Sequence, residues 1–255
     1  MIHPTAIIHA DSDIAPSVRI GPYAVIGPSV VIGQDTEIAA HATIAGYTRI
    51  GCGNKIYGYA SLGEAPQDKK YRGEETWLEI GDNNVIREFV TLNRGTKAGG
   101  GITCIGSDNW IMAYVHVAHD CVVGNHTVLA NNASLAGHVI VEDYAVFGGF
   151  AVVHQYCRIG AYAMLAANAR VSKDVPPYLM CGPDGRPHGL NVIGLSRNGF
   201  DDNAIAALKK AYRILYREHL PLQDALKKLE EESKTAPILQ RLLDFIPKSS
   251  RGIIR

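Results

Sequence analysis

Residues 8–56 read IHADSD-IAPSVR-IGPYAV-IGPSVV-IGQDTE-IAAHAT-IAGYTR-IGCGNK-I, with an isoleucine at every sixth position from Ile8 to Ile56. A second signal keeps step four residues behind each aliphatic: Val18, Ala24, Val30, Thr36, Ala42 and Thr48 are nearly all small. Glycine often follows the aliphatic, at Gly21, Gly27, Gly33 and Gly51, and reads as the point where the chain turns sharply. A period of six matches neither a helix, at about 3.6, nor a simple strand, at about 2. It matches a parallel β-helix in which each hexad is one short strand and a corner. Three hexads close a triangular coil of about eighteen residues, and coils stack roughly 4.8 Å apart. The aliphatic then fills the prism and the small residue fits the cramped corner.

The register continues to Leu62, returns at Ile80, Ile86 and Leu92, and runs from Ile105 through Val117, Leu129, Leu135 and Val153 to Val171. Two stretches break it. Over 63–78, Asp68 and Glu74 stand where aliphatics belong, so this segment is expected to leave the prism as a loop. At Ala98-Gly99-Gly100-Gly101 the register shifts by one, since Leu92 and Ile105 are thirteen apart. Insertions on a solenoid gather at its binding face. Pro176-Pro177 and the run Gly182-Pro183-Asp184-Gly185-Arg186-Pro187 read as a connector. Beyond them the apolar spacing turns helical. Asp201 or Asp202 caps a helix carrying Ile205, Leu208, Ala211, Tyr212 and Leu215, with a second helix over 221–234 and a short third over Ile238–Phe245. The division expected is a prism over 1–190 and a helical domain over 191–255.

Charge is balanced, 25 basic against 25 acidic residues, which gives no footing for nucleic acid as a partner. Five cysteines without a CxxC pair read as reduced thiols, not a disulfide framework. Met1-Ile2-His3-Pro4 opens without the basic and apolar segments of a signal peptide, and no apolar run approaches the roughly 20 residues of a transmembrane helix. A cytoplasmic protein is expected.

The chemistry points to histidines. His116, His119, His138 and His154 all miss the aliphatic and small positions, so none belongs to the prism core. His138 lies nineteen residues beyond His119, and His154 sixteen beyond His138, which sets them along one edge of successive coils within about 10–12 Å. Three readings follow. His119 can be a general base oriented by Asp120, since an imidazole near pKa ~6.5 suits removal of a hydroxyl proton at neutral pH. Histidines on this fold can instead hold zinc, as in a carbonic-anhydrase-like enzyme, although the close pair His116 and His119 has only two residues between them. The strip can also belong to a binding module without catalysis.

The run His116-Val-Ala-His119-Asp120-Cys-Val-Val-Gly124-Asn125, with Leu129-Ala-Asn131-Asn132-Ala-Ser-Leu-Ala-Gly137-His138, resembles the UDP-N-acetylglucosamine acyltransferase family of lipid A biosynthesis. The likeness continues through His154-Gln155, Asp174-Val-Pro-Pro-Tyr178, Asn191, Arg197 and the terminal Arg251-Gly252-Ile-Ile-Arg255, and covers essentially the whole chain. The resemblance implies a left-handed parallel β-helix with a small C-terminal α-helical domain, a hand that periodicity alone does not fix. It implies transfer of a 3-hydroxyacyl group from acyl carrier protein to the 3-hydroxyl of UDP-N-acetylglucosamine, in a homotrimer with sites between neighbouring prisms and with no cofactor or metal.

Residue by residue, the resemblance makes His119 the base, Asp120 its orienting carboxylate and the Gly137 N–H the donor to the developing oxyanion. Gln67, Asp68, Lys70, His116, His138, His154 and Gln155 match substrate-contacting positions. Asn191 and Arg197 match the nucleotide end, and Ala167 stands where glycine admits a longer acyl chain. Lys209, Lys210, Arg213 and Arg217 give the first long helix a basic face, suited to an acidic carrier protein or simply to solvent. Three positions depart from the pattern: Asn93 replaces the histidine of some members, Ile193 an acidic residue and Asn198 a second arginine. These leave a 3-amino sugar nucleotide open as the acceptor.

Overall fold

The computed structural model describes residues 1–255. Strands of two to four residues recur hexad by hexad and stack into three parallel sheets, the faces of a triangular prism. The coil is left-handed, as the resemblance implies and against the general preference for right-handed parallel crossovers. Register follows the sequence period: Ile26 pairs with Ile44, Ile44 with Leu62, and Val117 with Leu135. All these aliphatics are buried in one continuous core, except that Ile8 and Ile14 are only half-buried at the open N-terminal end. The strand–corner alternation therefore has a direct cause. One large side chain per hexad is removed from water, and its neighbours point out.

The small position carries more than packing. On one edge it becomes a polar ladder, where Asn54 Oδ1 accepts from Asn84 N–H at 2.9 Å, Asn84 Oδ1 from Asn109 N–H at 2.9 Å, and Asn109 Oδ1 from Thr127 N–H at 2.8 Å. Buried corner amides that the strands leave unpaired are satisfied in this way.

The turn itself is made elsewhere than expected. Gly21, Gly27, Gly33 and Gly51 do not adopt positive φ; the left-handed residue is two positions later, at Tyr23, Ser29, Asp35 and Gly53, with φ between 54° and 66°. The glycines answer a different need. A Cβ on Gly21 would come within 2.8 Å of the Ala40 amide, and one on Gly33 within 2.7 Å of the Gly51 carbonyl carbon. They let one coil lie on the next. The left-handed corners cost about 1–2 kcal/mol each for a residue with a side chain, and stacking offsets part of it. Tyr23, His41, Tyr59, Phe89 and Tyr114 form a column of parallel rings with centroids 4.9–5.2 Å apart, close to the coil spacing.

Both interruptions leave the prism where the register fails, but the first is shorter than expected. Strands Ser61–Glu64 and Trp77–Ile80 bracket it, so the loop spans 65–76. Leu62 pairs across it with Leu92, and Leu92 across the glycine-rich insertion with Val117, so the prism continues beneath both. The connector 182–187 is also more ordered than its prolines suggest. Leu179–Cys181 and Pro187–Leu190 form an antiparallel hairpin that closes the prism.

The helical part follows at once. A short helix, α1 (Val192–Arg197), precedes α2 (Asp202–Tyr216), α3 (Leu222–Ser233) and α4 (Gln240–Phe245). Asp201 caps α2 by accepting the Ala204 N–H at 2.7 Å. Leu208, Ile214 and Leu215 of α2 bury against Ala225 and Leu229 of α3 and Phe245 of α4, with Tyr178 of the prism in the same cluster. The chain end returns to the prism, where Ile254 N–H donates to Asp174 O at 2.8 Å. All five cysteines are free, and no helix is long and apolar enough to cross a membrane.

Candidate active site

The site is built on one prism corner and the two insertions beside it. Val117 enters the core, Ala118 and His119 follow, and Asp120 turns the corner at φ 61°, a conformation aspartate tolerates better than most residues. That turn buries the Asp120 carboxylate and leaves the His119 ring at the rim, with 1% and 17% of the two side chains exposed. His119 Nδ1 lies 2.7 Å from Asp120 Oδ2. A carboxylate only accepts, so Nδ1 carries the proton and Nε2 presents its lone pair outward. The other donors to Asp120 come from the glycine-rich insertion. Thr96 N–H donates to Oδ1 at 2.8 Å and the Thr96 hydroxyl to Oδ2 at 2.6 Å. A buried charge is tolerated only with such partners.

Gly137 stands one coil further along, against the His119 ring. A Cβ there would lie 2.6 Å from His119 Cε1 and 2.9 Å from Nε2. The Gly137 carbonyl accepts from Tyr156 N–H at 3.2 Å, while the Gly137 N–H makes no hydrogen bond within the chain. A residue with a free backbone N–H is therefore packed directly against the imidazole.

His138 joins this group edge-on to His119, centroids 5.2 Å apart, with Nε2 3.6 Å from Asp120 Oδ2. Its other face stacks on Tyr156 at 4.4 Å. Burial holds the His138 imidazole below its ordinary pKa, against the opposing pull of Asp120. His116 Nδ1 lies 2.7 Å from Thr91 Oγ1, and burial first, then the charge of His119, lowers its pKa too. Both rings are thereby biased toward the neutral form that can accept or donate one hydrogen bond. Asp68 of the first loop is near enough to His138 to act on it electrostatically.

His154 and Gln155 continue the same edge one coil further on, since Leu135 pairs with Val153 and Tyr156 stacks on His138, as the spacing of the histidines implies. Both are exposed, and His154 Nδ1 meets only Gln155 O at 3.2 Å. Gln67 and Lys70 are exposed on the loop. Ala167 is exposed where its amide stacks on Gly148. Asn191 is nearly buried as the N-cap of α1, accepting from Gly194 N–H at 3.1 Å and donating to Tyr162 O at 3.0 Å. Arg197 is exposed at the end of the same helix. On α2, Lys210 bridges Glu232 and Arg213 bridges Glu218, so part of the basic face is already neutralised.

Comparison with known proteins decides the family. An acyl-[acyl-carrier-protein]–UDP-N-acetylglucosamine O-acyltransferase of Thiobacillus denitrificans is 56% identical over 255 residues, covering all of this chain and 99% of that protein. That of Stenotrophomonas maltophilia is 52% identical over 256 residues, covering all of this chain and 97% of its own. The chain belongs to this O-acyltransferase family. Residues 174–254 match the family model described as the second domain of UDP-N-acetylglucosamine O-acyltransferase, and 1–34, 11–46 and 105–137 match bacterial transferase hexapeptide repeats. The crystal structure of the Francisella novicida UDP-N-acetylglucosamine acyltransferase superposes with a TM-score of 0.98 at 43% identity, over all of this chain and 94% of that one. An Arabidopsis UDP-N-acetylglucosamine acyltransferase superposes at 0.90 with 35% identity, each chain covered in full.

Beyond Gln67, Asp68 and Lys70, the two insertions carry residues to which the sequence reading gave no role. Arg94 donates to the Tyr71 hydroxyl at 3.2 and 3.0 Å and to Gly63 O at 3.0 Å, fastening the first loop to the prism. Asn93, buried one coil before His119, donates to Ala65 O at 2.9 Å and holds the base of that loop, while its Oδ1 has no partner. Thr91, Thr96 and Tyr156 also touch site residues. None falls in a position that the hexad pattern marks, though the register shift did point to the segment that carries Thr96.

Proposed function

We propose that this chain transfers a 3-hydroxyacyl group from acyl carrier protein to the 3-hydroxyl of UDP-N-acetylglucosamine, the opening step of lipid A synthesis, in the cytoplasm. The observation that carries the mechanism is the His119 ring, tied through Nδ1 to a buried carboxylate and packed against Gly137, whose N–H is free. His119 Nε2 takes the proton of the sugar hydroxyl as that oxygen attacks the thioester carbonyl. Negative charge moves to the carbonyl oxygen, which accepts from the Gly137 N–H, a contribution of about 3–4 kcal/mol to the barrier. Asp120 stabilises the imidazolium without taking its proton. The tetrahedral intermediate then expels the carrier thiolate, which takes the proton back from His119. The ester is made, the thioester broken, and the base restored.

His119, Asp120 and His138 offer three ligand atoms within 4.8 Å of one another. A zinc reading is disfavoured by the chemistry of the donors. Asp120 Oδ2 already accepts the Thr96 hydroxyl and the His119 Nδ1–H, and a cation there would displace both.

The acceptor and acyl chain need more walls than one convex prism offers. A homotrimer supplies them, with Ala167, Asn191 and Arg197 of one chain facing His119, His154 and Gln155 of the next. The exposed ring column of Tyr23, Tyr59, Phe89 and Tyr114 supports such an assembly, since large apolar side chains along one edge favour burial against a second copy. Sedimentation at about three times the 27.6 kDa chain mass is expected, and a monomer at assay concentration would contradict the shared site. Ala167 in the acyl groove shortens the preferred chain. An Ala167→Gly variant is expected to shift preference by about one or two methylenes toward longer donors, each methylene being worth about 0.8 kcal/mol; unchanged selectivity across a donor series would remove Ala167 from the groove.

Release of carrier thiol tests the reaction as a whole. It should depend on UDP-N-acetylglucosamine and match ester formed mole for mole, with chelator present. Equal thiol release without the sugar nucleotide would make the chain a thioesterase instead.

A further inference from the structure

We propose that Thr96 is a positioning residue for the transfer, fixing the Asp120 carboxylate so that it serves His119 and not His138. The inference rests on His119 as the base. Thr96 belongs to the insertion that shifts the hexad register, and it is 7% exposed. Its hydroxyl has a single proton, and its geometry decides where that proton goes. Gly99 N–H donates to Thr96 Oγ1 at 3.1 Å, so the hydroxyl's own hydrogen points to Asp120 Oδ2 at 2.6 Å. With Thr96 N–H on Oδ1 at 2.8 Å, one residue holds both oxygens of the carboxylate. Two donors on two oxygens set the plane of the group as well as its position.

Further contacts close the remaining freedom. Asp120 N–H donates to Thr103 Oγ1 at 2.7 Å, which ties its backbone to the strand after the insertion. Gly99 packs so closely on the carboxylate that a Cβ there would fall 2.1 Å from Asp120 Cγ. The glycine is required by that approach, because any side chain would push the carboxylate out of place. The insertion is thus a built cradle for one carboxyl group.

Why this matters to the chemistry follows from the competing partner. Asp120 Oδ2 is 2.7 Å from His119 Nδ1 and 3.6 Å from His138 Nε2. A small rotation of the carboxylate exchanges one imidazole for the other. If it turned to His138, His119 would lose the acceptor that fixes its tautomer, and Nε2 would no longer be reliably the unprotonated nitrogen. Thr96 prevents the turn through both its donors. Its N–H and hydroxyl are both spent on Asp120, so its loss should act on turnover and leave substrate binding alone.

The test compares Thr96→Val, Thr96→Ser, Asp120→Ala, the Thr96→Val/Asp120→Ala double variant and His119→Ala, all as full chains with acyl carrier protein and UDP-N-acetylglucosamine. Thr96→Val is expected to lower kcat about 10- to 100-fold, in the range of a lost hydrogen bond to a charged group. KM for the sugar nucleotide should stay within about twofold, and Thr96→Ser should keep kcat within about threefold. In the Asp120→Ala background Thr96→Val should add nothing further. Wild-type kcat in Thr96→Val, a rise in KM with kcat unchanged, a Ser variant as poor as the Val variant, or a further loss in the double variant would each overturn the proposal. Should Thr96→Val not fold, Thr96→Ala removes the same hydroxyl and takes its place throughout. An active His119→Ala would instead overturn the base reading itself, whereas an inactive one beside an intact Thr96→Val would sink the Thr96 inference alone.

Discussion

The His119→Ala variant is expected to lose about a thousandfold in kcat, within the 10²–10⁴ range for removing a positioned general base. No neighbour replaces it. The His138 Nε2 is directed at the Asp120 side of the cluster, and its ring is held between His119 and Tyr156. His116 is engaged with Thr91. The fold should survive the change, because both Thr96 donors to Asp120 remain and the lost ring lies at the rim of the prism, outside its core. KM for the sugar nucleotide should change little if the ring acts mainly in the transition state. Steady-state kinetics with a labelled acyl donor measure both constants, and a loss below tenfold would point to another base.

Gly137→Ala is expected to cost at least a hundredfold in turnover while leaving the protein folded. Gly137 does not have positive φ, so alanine meets no backbone penalty there. The obstacle is local. The new methyl would fall 2.6 Å from His119 Cε1 and 2.9 Å from Nε2, inside normal contact distance. Either the ring leaves Asp120 or the coil shifts, and in both cases Nε2 and the Gly137 N–H no longer converge on one reacting carbonyl. Displacements of about 1 Å are enough for losses near 10². A thermal midpoint close to that of the wild type, together with collapsed kcat, is the expected pair of results. Turnover above a third of wild type would mean that the methyl does not intrude on the reacting atoms.

The prism was legible because every hexad repeats the same demand. One aliphatic such as Ile44 or Leu135 must enter the core, and the period of six follows from that alone. The corners were read less well. Glycine after the aliphatic looked like the turning residue, whereas Gly21 is needed for close approach and Tyr23 makes the left-handed turn. Both are corner features, and a sequence does not separate a steric need from a conformational one. Asp68 and Glu74 marked the first loop by occupying core positions, yet nothing fixed where Trp77 rejoined the sheet. Helix α1 went unread because six residues are too few to show a period, and the hairpin after Leu179 was hidden by its prolines.

At the site, His119 and His138 could be placed by eighteen-residue stacking and Asp120 by its adjacency to His119, and the family likeness supplied the role of Gly137. Thr96 and Arg94 had no such handle. Their partners, Asp120 and Tyr71, are distant along the chain and reach them only because the two insertions fold back over the same corner. The exposed position of Arg197 has a comparable origin: one chain supplies only one wall of the proposed cleft.

The central claim is an acyl ester made at the sugar 3-hydroxyl without a metal. The most direct measurement incubates the wild-type chain with 3-hydroxyacyl carrier protein and UDP-N-acetylglucosamine under chelator, then follows the acyl-sugar product by NMR and by exposure to mild alkali. The account predicts a single product acylated at the 3-oxygen that alkali cleaves back to the sugar nucleotide. An alkali-stable amide formed only from a 3-amino acceptor, or no product until zinc is restored, would contradict it.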